Sequence, residues 1–163
     1  MVILGIDPGF SVTGYCVLQK HKNQVIMLDY GFLKLPTTQP LQARVGIFYD
    51  TLVEKIKQHN VTAISLETSF LGKNAQTFLK LGYLRGILYL LASQYQLQIF
   101  EFAPRQVKQT VTGYGAADKE QVAKVLSMLF PQIPKPLKTD VTDAIAISLC
   151  GLWQSENKQL ATF

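Results

Sequence analysis

The chain has 163 residues, 48% of them hydrophobic and 17% charged, the proportions of one folded domain with a substantial core and not of a disordered segment or a repeat array. Its net charge of +5 and pI near 9.2 permit a polyanionic partner without requiring one. No basic leader with a small-residue cleavage site opens it, and the apolar stretch Leu81 to Ala92 is broken by Arg85 and too short to span a bilayer, so a soluble, cytoplasmic protein with no membrane contact is expected.

In chain order, Val2-Ile-Leu-Gly-Ile-Asp-Pro-Gly9 is an apolar run bounded by Pro-Gly, which predicts a buried strand delivering Asp7 into a turn. Thr13 to Gln19 and Val25 to Leu33 predict two more strands of an antiparallel meander. From Leu41 to His59 the apolar positions Leu41, Val45, Phe48, Leu52 and Ile56 recur at three and four, one face of a helix. Val61 to Leu66 is a short apolar strand ending in Glu67, and the intervening helix predicts that it runs parallel to a strand of the meander.

The next helix, about Ala75 to Tyr95, has too many apolar groups for one stripe, so two of its faces want burial: one on its own sheet and the other on a second subunit. Gly82 and Gly86 permit close backbone approach there. Gln98 to Phe102 predicts a fifth strand, Pro104 the first turn of a helix through Val111, and Asp118 the N-cap of a helix through Phe130, with Gln121 completing a capping-box-like pattern. The last helix starts near Thr139 or Asp140 and runs past Leu152. Residues 1–154 make one domain, and Ser155 to Phe163 is a polar tail read as frayed. The sum is an α/β fold, a five-stranded mixed sheet flanked by helices on both faces.

Cys16 and Cys150 lie in apolar surroundings far apart and are expected to be buried free thiols, and His21 and His59 are expected at the surface. The chemistry is left to carboxylates. A carboxylate ending a buried strand is costly unless paired, hydrogen-bonded or metal-bound. Taken alone, Asp7 equally fits a side chain closing its own turn, and Asp140 with Asp143, three apart in a first helical turn, fits capping and the helix dipole. If the fourth strand pairs parallel to the first, Asp7 and Glu67 emerge at the same carboxyl edge, where open α/β sheets place their sites.

Four gathered carboxylates repel unless cations relieve them. Oxygen-only ligands suit Mg²⁺ or Mn²⁺, and two such ions about 4 Å apart serve in-line displacement at phosphorus, one activating a water and the other stabilising the leaving 3′ oxygen. Setting the four acids aside leaves seven acidic against sixteen basic residues, so an acidic centre would sit within a cationic surface suited to a phosphate backbone. Nine of the basic residues fall between Thr68 and Thr139, against three acids.

These residues resemble the RuvC-type Holliday junction resolvases, which have the ribonuclease H-like fold. The resemblance rests on Gly5-Ile-Asp-Pro-Gly9 with Thr13-Gly14, on Glu67 with Phe70 and Lys73-Asn74, on Leu79-Lys-Leu-Gly82 with Arg85-Gly86, on Pro104-Arg-Gln-Val-Lys-Gln-Thr-Val111, and on Asp140-Val-Thr-Asp-Ala144. It implies a homodimer that binds a four-way DNA junction and nicks two strands of like polarity symmetrically, accompanied by the branch-migration proteins RuvA and RuvB. Asp7, Glu67, Asp140 and Asp143 match the four metal-binding acids, in an all-carboxylate version, since some relatives carry histidine at the position of Asp140. Phe70 matches an aromatic that stacks on bases, and Lys108 and Lys119 match basic residues important for cleavage. Arg105 and Lys73 are further candidates for phosphate contact. Two other readings stand beside this one. A junction-binding module without catalysis would be expected to lack one or more of the acids, and none is missing. An actin-like ATPase, whose first phosphate segment resembles Gly5 to Gly9, needs a second domain for which 163 residues leave no room.

Overall fold

The computed structural model describes residues 1–22, 24–68, 75–134 and 138–160, the side chains of the last segment through Ser155. Strands β1 (Val2–Asp7), β2 (Val12–His21) and β3 (Gln24–Lys34) form the antiparallel meander. Helix α1 (Leu41–His59) leads to β4 (Ala63–Glu67), α2 (Ala75–Gln94) to β5 (Gln98–Phe102), and α3 (Pro104–Thr112), α4 (Lys119–Leu129) and α5 (Thr139–Leu160) complete the chain. The sheet order is β3-β2-β1-β4-β5, with β4 parallel to both β1 and β5. The mixed sheet follows from the connections: tight turns reverse the chain, whereas a crossover helix returns it parallel.

Side chains alternate along each strand, and the alternation divides the interior in two. Leu4, Ile6, Val17, Ile64 and Leu66 face α1 and α2, where Phe48, Leu52, Leu84 and Leu88 are fully buried. Ile3, Cys16, Leu18, Ala63 and Phe100 face the other way, toward α3, α4 and α5. Positions 5, 7, 65 and 67 share this second face, so the small residues Gly5 and Ser65 lie beneath α5 and the acids Asp7 and Glu67 end the same rows.

Bare backbone is what lets α5 settle so low. A Cβ on Gly5 would sit 2.6 Å from the Ser148 nitrogen and 2.7 Å from the Ala144 oxygen, and one on Gly14 would overlap the carbonyl oxygen of Asp140. Hydroxyls replace side-chain packing at the seam. Ser65 Oγ donates to Ile147 O at 2.7 Å, and Ser148 Oγ lies 3.0 Å from Cys16 O and 2.8 Å from Ala144 O.

Several boundaries differ from the sequence expectation. Strand β4 starts at Ala63 because Asn60 takes a left-handed conformation and Val61 N bonds back to Ile56 O, spending Val61 on closing α1. Helix α5 continues through Leu160, into the stretch read as a polar tail. Both cysteines are buried and free, and His21 is exposed. His59, expected at the surface, is largely covered: its Nε2 lies 3.3 Å from Asp29 Oδ2, a carboxylate that also takes Lys55 Nζ at 2.9 Å. On α2 the inner face is buried, and Leu79, Tyr83, Tyr89 and Leu90 are exposed. Among the described residues, nothing outside the adjoining backbone of α2 lies within 4 Å of a Cβ built on Gly82 or Gly86, so the close approach these glycines permit is not used there.

Replacing Gly14 with alanine is expected to cost about 3 kcal/mol, the upper range for overpacking, because the overlapped atom is backbone and cannot rotate away. Urea denaturation of Gly14→Ala measures it, and a loss under about 0.5 kcal/mol, the ordinary scatter of surface changes, would show that α5 can ride higher.

Candidate active site at the carboxyl edge of the sheet

Asp7 and Glu67 are the last residues of β1 and β4, and the pairing of Ile6 with Leu66 makes them neighbours one residue further on. Asp140 lies in the first turn of α5, and Asp143 follows three residues further along the helix. Gly14, the cross-strand partner of Asp7, sits directly beneath the Asp140 carbonyl, so the helix start is seated beside Asp7. The turn after Asp7 is clasped by buried Thr13, whose hydroxyl donates to Gly9 O at 2.9 Å and stands 3.2 Å from Gly9 N. Beyond it, Arg44 on α1 bonds Phe10 O and lies over the Phe10 ring, 4.0 Å from its centroid.

The charges of the four acids are felt together. Burial, reinforced by Asp143, Asp140 and Glu67 and opposed by Lys119, pushes the Asp7 carboxyl up to about 7. Glu67 is raised by burial first and then by Asp143, with Lys108 and Lys119 opposing. Asp143 is raised by burial, while Lys119, its Nζ 3.6 Å from Asp143 Oδ2, pulls the other way. Among the described residues, no three acidic, imidazole or thiol groups form a ready-made cation cage. The acids form an electrostatic cluster whose mutual repulsion Lys119 and Lys108 offset only in part, and Glu67 and Asp143 open from it into one cleft. Their all-oxygen donor set fits a hard divalent ion.

Lys108, Lys119, Glu67 and Asp143 line this cleft together, over an apolar floor of Val107, Val122 and Ile147. Lys119 is the first residue of α4, where a cation opposes the helix dipole. The Asp143 carboxylate compensates it. Asp118 caps the same helix, accepting from Gln121 N at 2.8 Å, as the sequence pattern predicts. Arg105 does not join the acids: it lines a separate groove with Gln106, Gln109 and Gln154. Phe70 and Lys73 lie outside the described residues. Arg85, which in the sequence reads as a charged break in an apolar helix, reaches the site from α2 by donating to the backbone carbonyl of Glu67 at 2.7 Å.

A five-stranded 3-2-1-4-5 sheet, antiparallel then parallel, with helices on both faces and carboxylates on its central strand ends, is the ribonuclease H-like fold. The family model described as crossover junction endodeoxyribonuclease RuvC matches residues 3–151. A RuvC of Chloroherpeton thalassium is 40% identical over all of this chain and 88% of its own length, and one of Halothermothrix orenii is 40% identical over 92% of this chain and 91% of its own. The solved structure of Thermus thermophilus RuvC in complex with a Holliday junction substrate is 26% identical and superposes with a TM-score of 0.89, covering 97% of this chain and 96% of that one. The chain belongs to the RuvC family.

The Asp7 shift has a consequence for stability. Its carboxyl titrates near 3.8 when unfolded and about 7 when folded, so this group's contribution is lost as pH rises from about 4 to about 7. Without divalent ions, Asp7→Asn is therefore expected to melt higher than the parent at pH 8, by about 3 °C, the response of a chain this size to about 1 kcal/mol. The difference should close at pH 4. A lower melting temperature for the variant at pH 8 would mean that the Asp7 carboxylate is stabilised, not strained.

Proposed function

We propose that this protein is a Holliday junction resolvase, a divalent-metal-dependent endonuclease making symmetric nicks in strands of like polarity of four-way DNA junctions during recombination and repair. What supports the reading is that Asp7 and Glu67 end adjacent strands near the start of α5, which carries Asp140 and Asp143, beside Lys108 and Lys119, in a chain that matches RuvC over nearly its whole length. The nuclease unit would take in residues 1–154 together with the continuation of α5 through Leu160. No helix among the described residues is long and apolar enough to cross a membrane, and the cytoplasm, where chromosomal DNA is reached, is the proposed location.

Asp7, Glu67, Asp140 and Asp143 would hold Mg²⁺, two ions per site, with Mn²⁺ as a substitute. When bound, such ions supply water activation and charge stabilisation at the leaving 3′ oxygen. The chain's own part is to gather the acids on rigid elements above an apolar cleft floor. It also aims two ammonium groups at the place where a scissile phosphate would approach an otherwise repulsive cluster. Lys119, three-quarters exposed, is free to exchange its Asp143 contact for phosphate. Arg105, in its separate groove, would meet a DNA arm away from the cut. Phe70 would stack on bases and Lys73 would contact phosphate, as the family resemblance implies.

A homodimer would place two such sites on one symmetric junction. The exposed apolar face of α2 is the surface for it, and the open backbone at Gly82 and Gly86 leaves room for a second copy. RuvA and RuvB are the proposed partners on the junction.

A synthetic junction with a branch-migratable core and a matched linear duplex, incubated with and without Mg²⁺ and resolved on a denaturing gel, tests the proposal. Paired Mg²⁺-dependent nicks in the junction alone are expected. Tight junction binding without nicks in Mg²⁺ or Mn²⁺ would replace it with the binding-module reading. Asp7→Asn should lose cleavage by at least about a thousandfold while keeping junction affinity, since a metal ligand and not a phosphate contact is removed. Phe70→Ala should slow turnover more than it weakens binding, measured by single-turnover cleavage beside gel-shift affinity. Light scattering at micromolar concentration should give twice the chain mass; a strict monomer counts against the α2 interface.

A further inference from the structure

Strand β4 ends at Glu67, and the backbone there is gripped from the opposite face of the sheet to the one the acids occupy. Arg85 projects from the middle of α2 with its side chain only 12% exposed. Its Nη1 donates to Glu67 O at 2.7 Å, and its Nη2 donates to the carboxylate of Glu101 on β5 and stands 3.2 Å from the Tyr89 hydroxyl. Tyr89 OH closes the network by donating to Glu101 Oε1 at 2.9 Å. One planar guanidinium thus ties three elements together: α2, the end of β4 and the adjacent strand β5. Thr68 N pairs with Phe102 O at 2.8 Å just past Glu67, so the arginine adds to the ladder pairing with β5 at the β4 terminus.

We propose that Arg85 is a positioning residue for Glu67, setting the backbone from which that carboxylate reaches the cleft. The inference rests on the role of Glu67 proposed above. A guanidinium suits the task because its rigid fork aims separate N–H groups at a carbonyl and a carboxylate at once, whereas an ammonium is a point charge on a flexible stem with no such fixed fork. Because Arg85 belongs to the helix whose outer face is exposed and apolar, the placement of α2 is transmitted directly to one of the four acids.

The test compares Arg85→Lys, Glu67→Gln and the unaltered protein. Junction affinity is read by gel shift, single-turnover cleavage as a function of Mn²⁺, Mn²⁺ binding to the DNA-free protein by calorimetry, melting temperature, and mass by light scattering. Glu101→Gln, which keeps an acceptor for Nη2, serves as the conservative variant and should stay within about threefold of the parent in cleavage. Arg85→Lys should bind junction normally, cleave about tenfold more slowly and bind Mn²⁺ about tenfold more weakly, the lower end of what outer-shell partners of metal ligands contribute. A merely structural role would lower the melting temperature while leaving Mn²⁺ affinity per folded molecule unchanged, and that result would overturn the proposal. So would a variant whose loss of cleavage is matched by loss of the dimer. If Glu67→Gln itself cleaves normally, the functional reading of Glu67 falls; if Glu67→Gln is inactive and Arg85→Lys is unchanged, only the inference about Arg85 falls.

Discussion

Helix α5 rests on backbone rather than on side chains where it crosses β1 and β2, and the site depends on that contact. At Gly5 and Gly14 the sheet offers nothing but peptide groups, and a single methyl at either point would meet the backbone of the helix. The same helix carries Asp140 in its first turn and Asp143 just beyond it, so its height above the sheet sets how near they come to Asp7 and Glu67. Close packing in an interior leaves no slack to absorb a lifted helix. Ser65 and Ser148 supply hydrogen bonds at the seam in place of bulk, fixing the helix laterally as well as vertically.

What this geometry brings together is electrostatically unfavourable. Burial and mutual repulsion raise the carboxyls of Asp7, Glu67 and Asp143, and Lys119, with Lys108 at Glu67 and Asp143, offsets only part of that. The fold tolerates the strain because its stability lies elsewhere, in two apolar interiors on either side of the sheet. Under the proposed function, cations would relieve this repulsion, the ordinary trade between stability and function at an active site.

The side of the sheet away from the acids also has a part in the site. Arg85 spans from α2 to the end of β4, and its helix presents aromatic and aliphatic groups outward. The helix proposed above for assembly is therefore the one that also holds the end of β4, so a partner docked on α2 would act on the strand that carries Glu67.

Much of the fold is legible in the sequence. The three-four recurrence from Leu41 to His59 gives α1 its observed limits, β5 spans Gln98–Phe102 as expected, and Asp118 with Gln121 caps α4 as their spacing requires. These are local patterns, fixed by the periods of helix and strand. The boundary at β4 was not legible, because Val61 is apolar enough for a strand and only the left-handed turn at Asn60 assigns it to the helix end. His59 was misplaced for a similar reason: its cover comes from Asp29, thirty residues away in sequence.

For the candidate site, the sequence by itself determined which groups are on offer: four carboxylates in a chain with an excess of basic residues. The tertiary structure alone decided how they meet. It put Asp7 and Glu67 in adjacent register and seated Asp140 over Gly14. It also separated Arg105 from Lys108 on two sides of one short helix and linked Arg85 to Glu67 across the sheet. Residue type carries charge and coordination preference wherever it stands, but adjacency between distant segments exists only after strand pairing and helix packing have closed the loops between them.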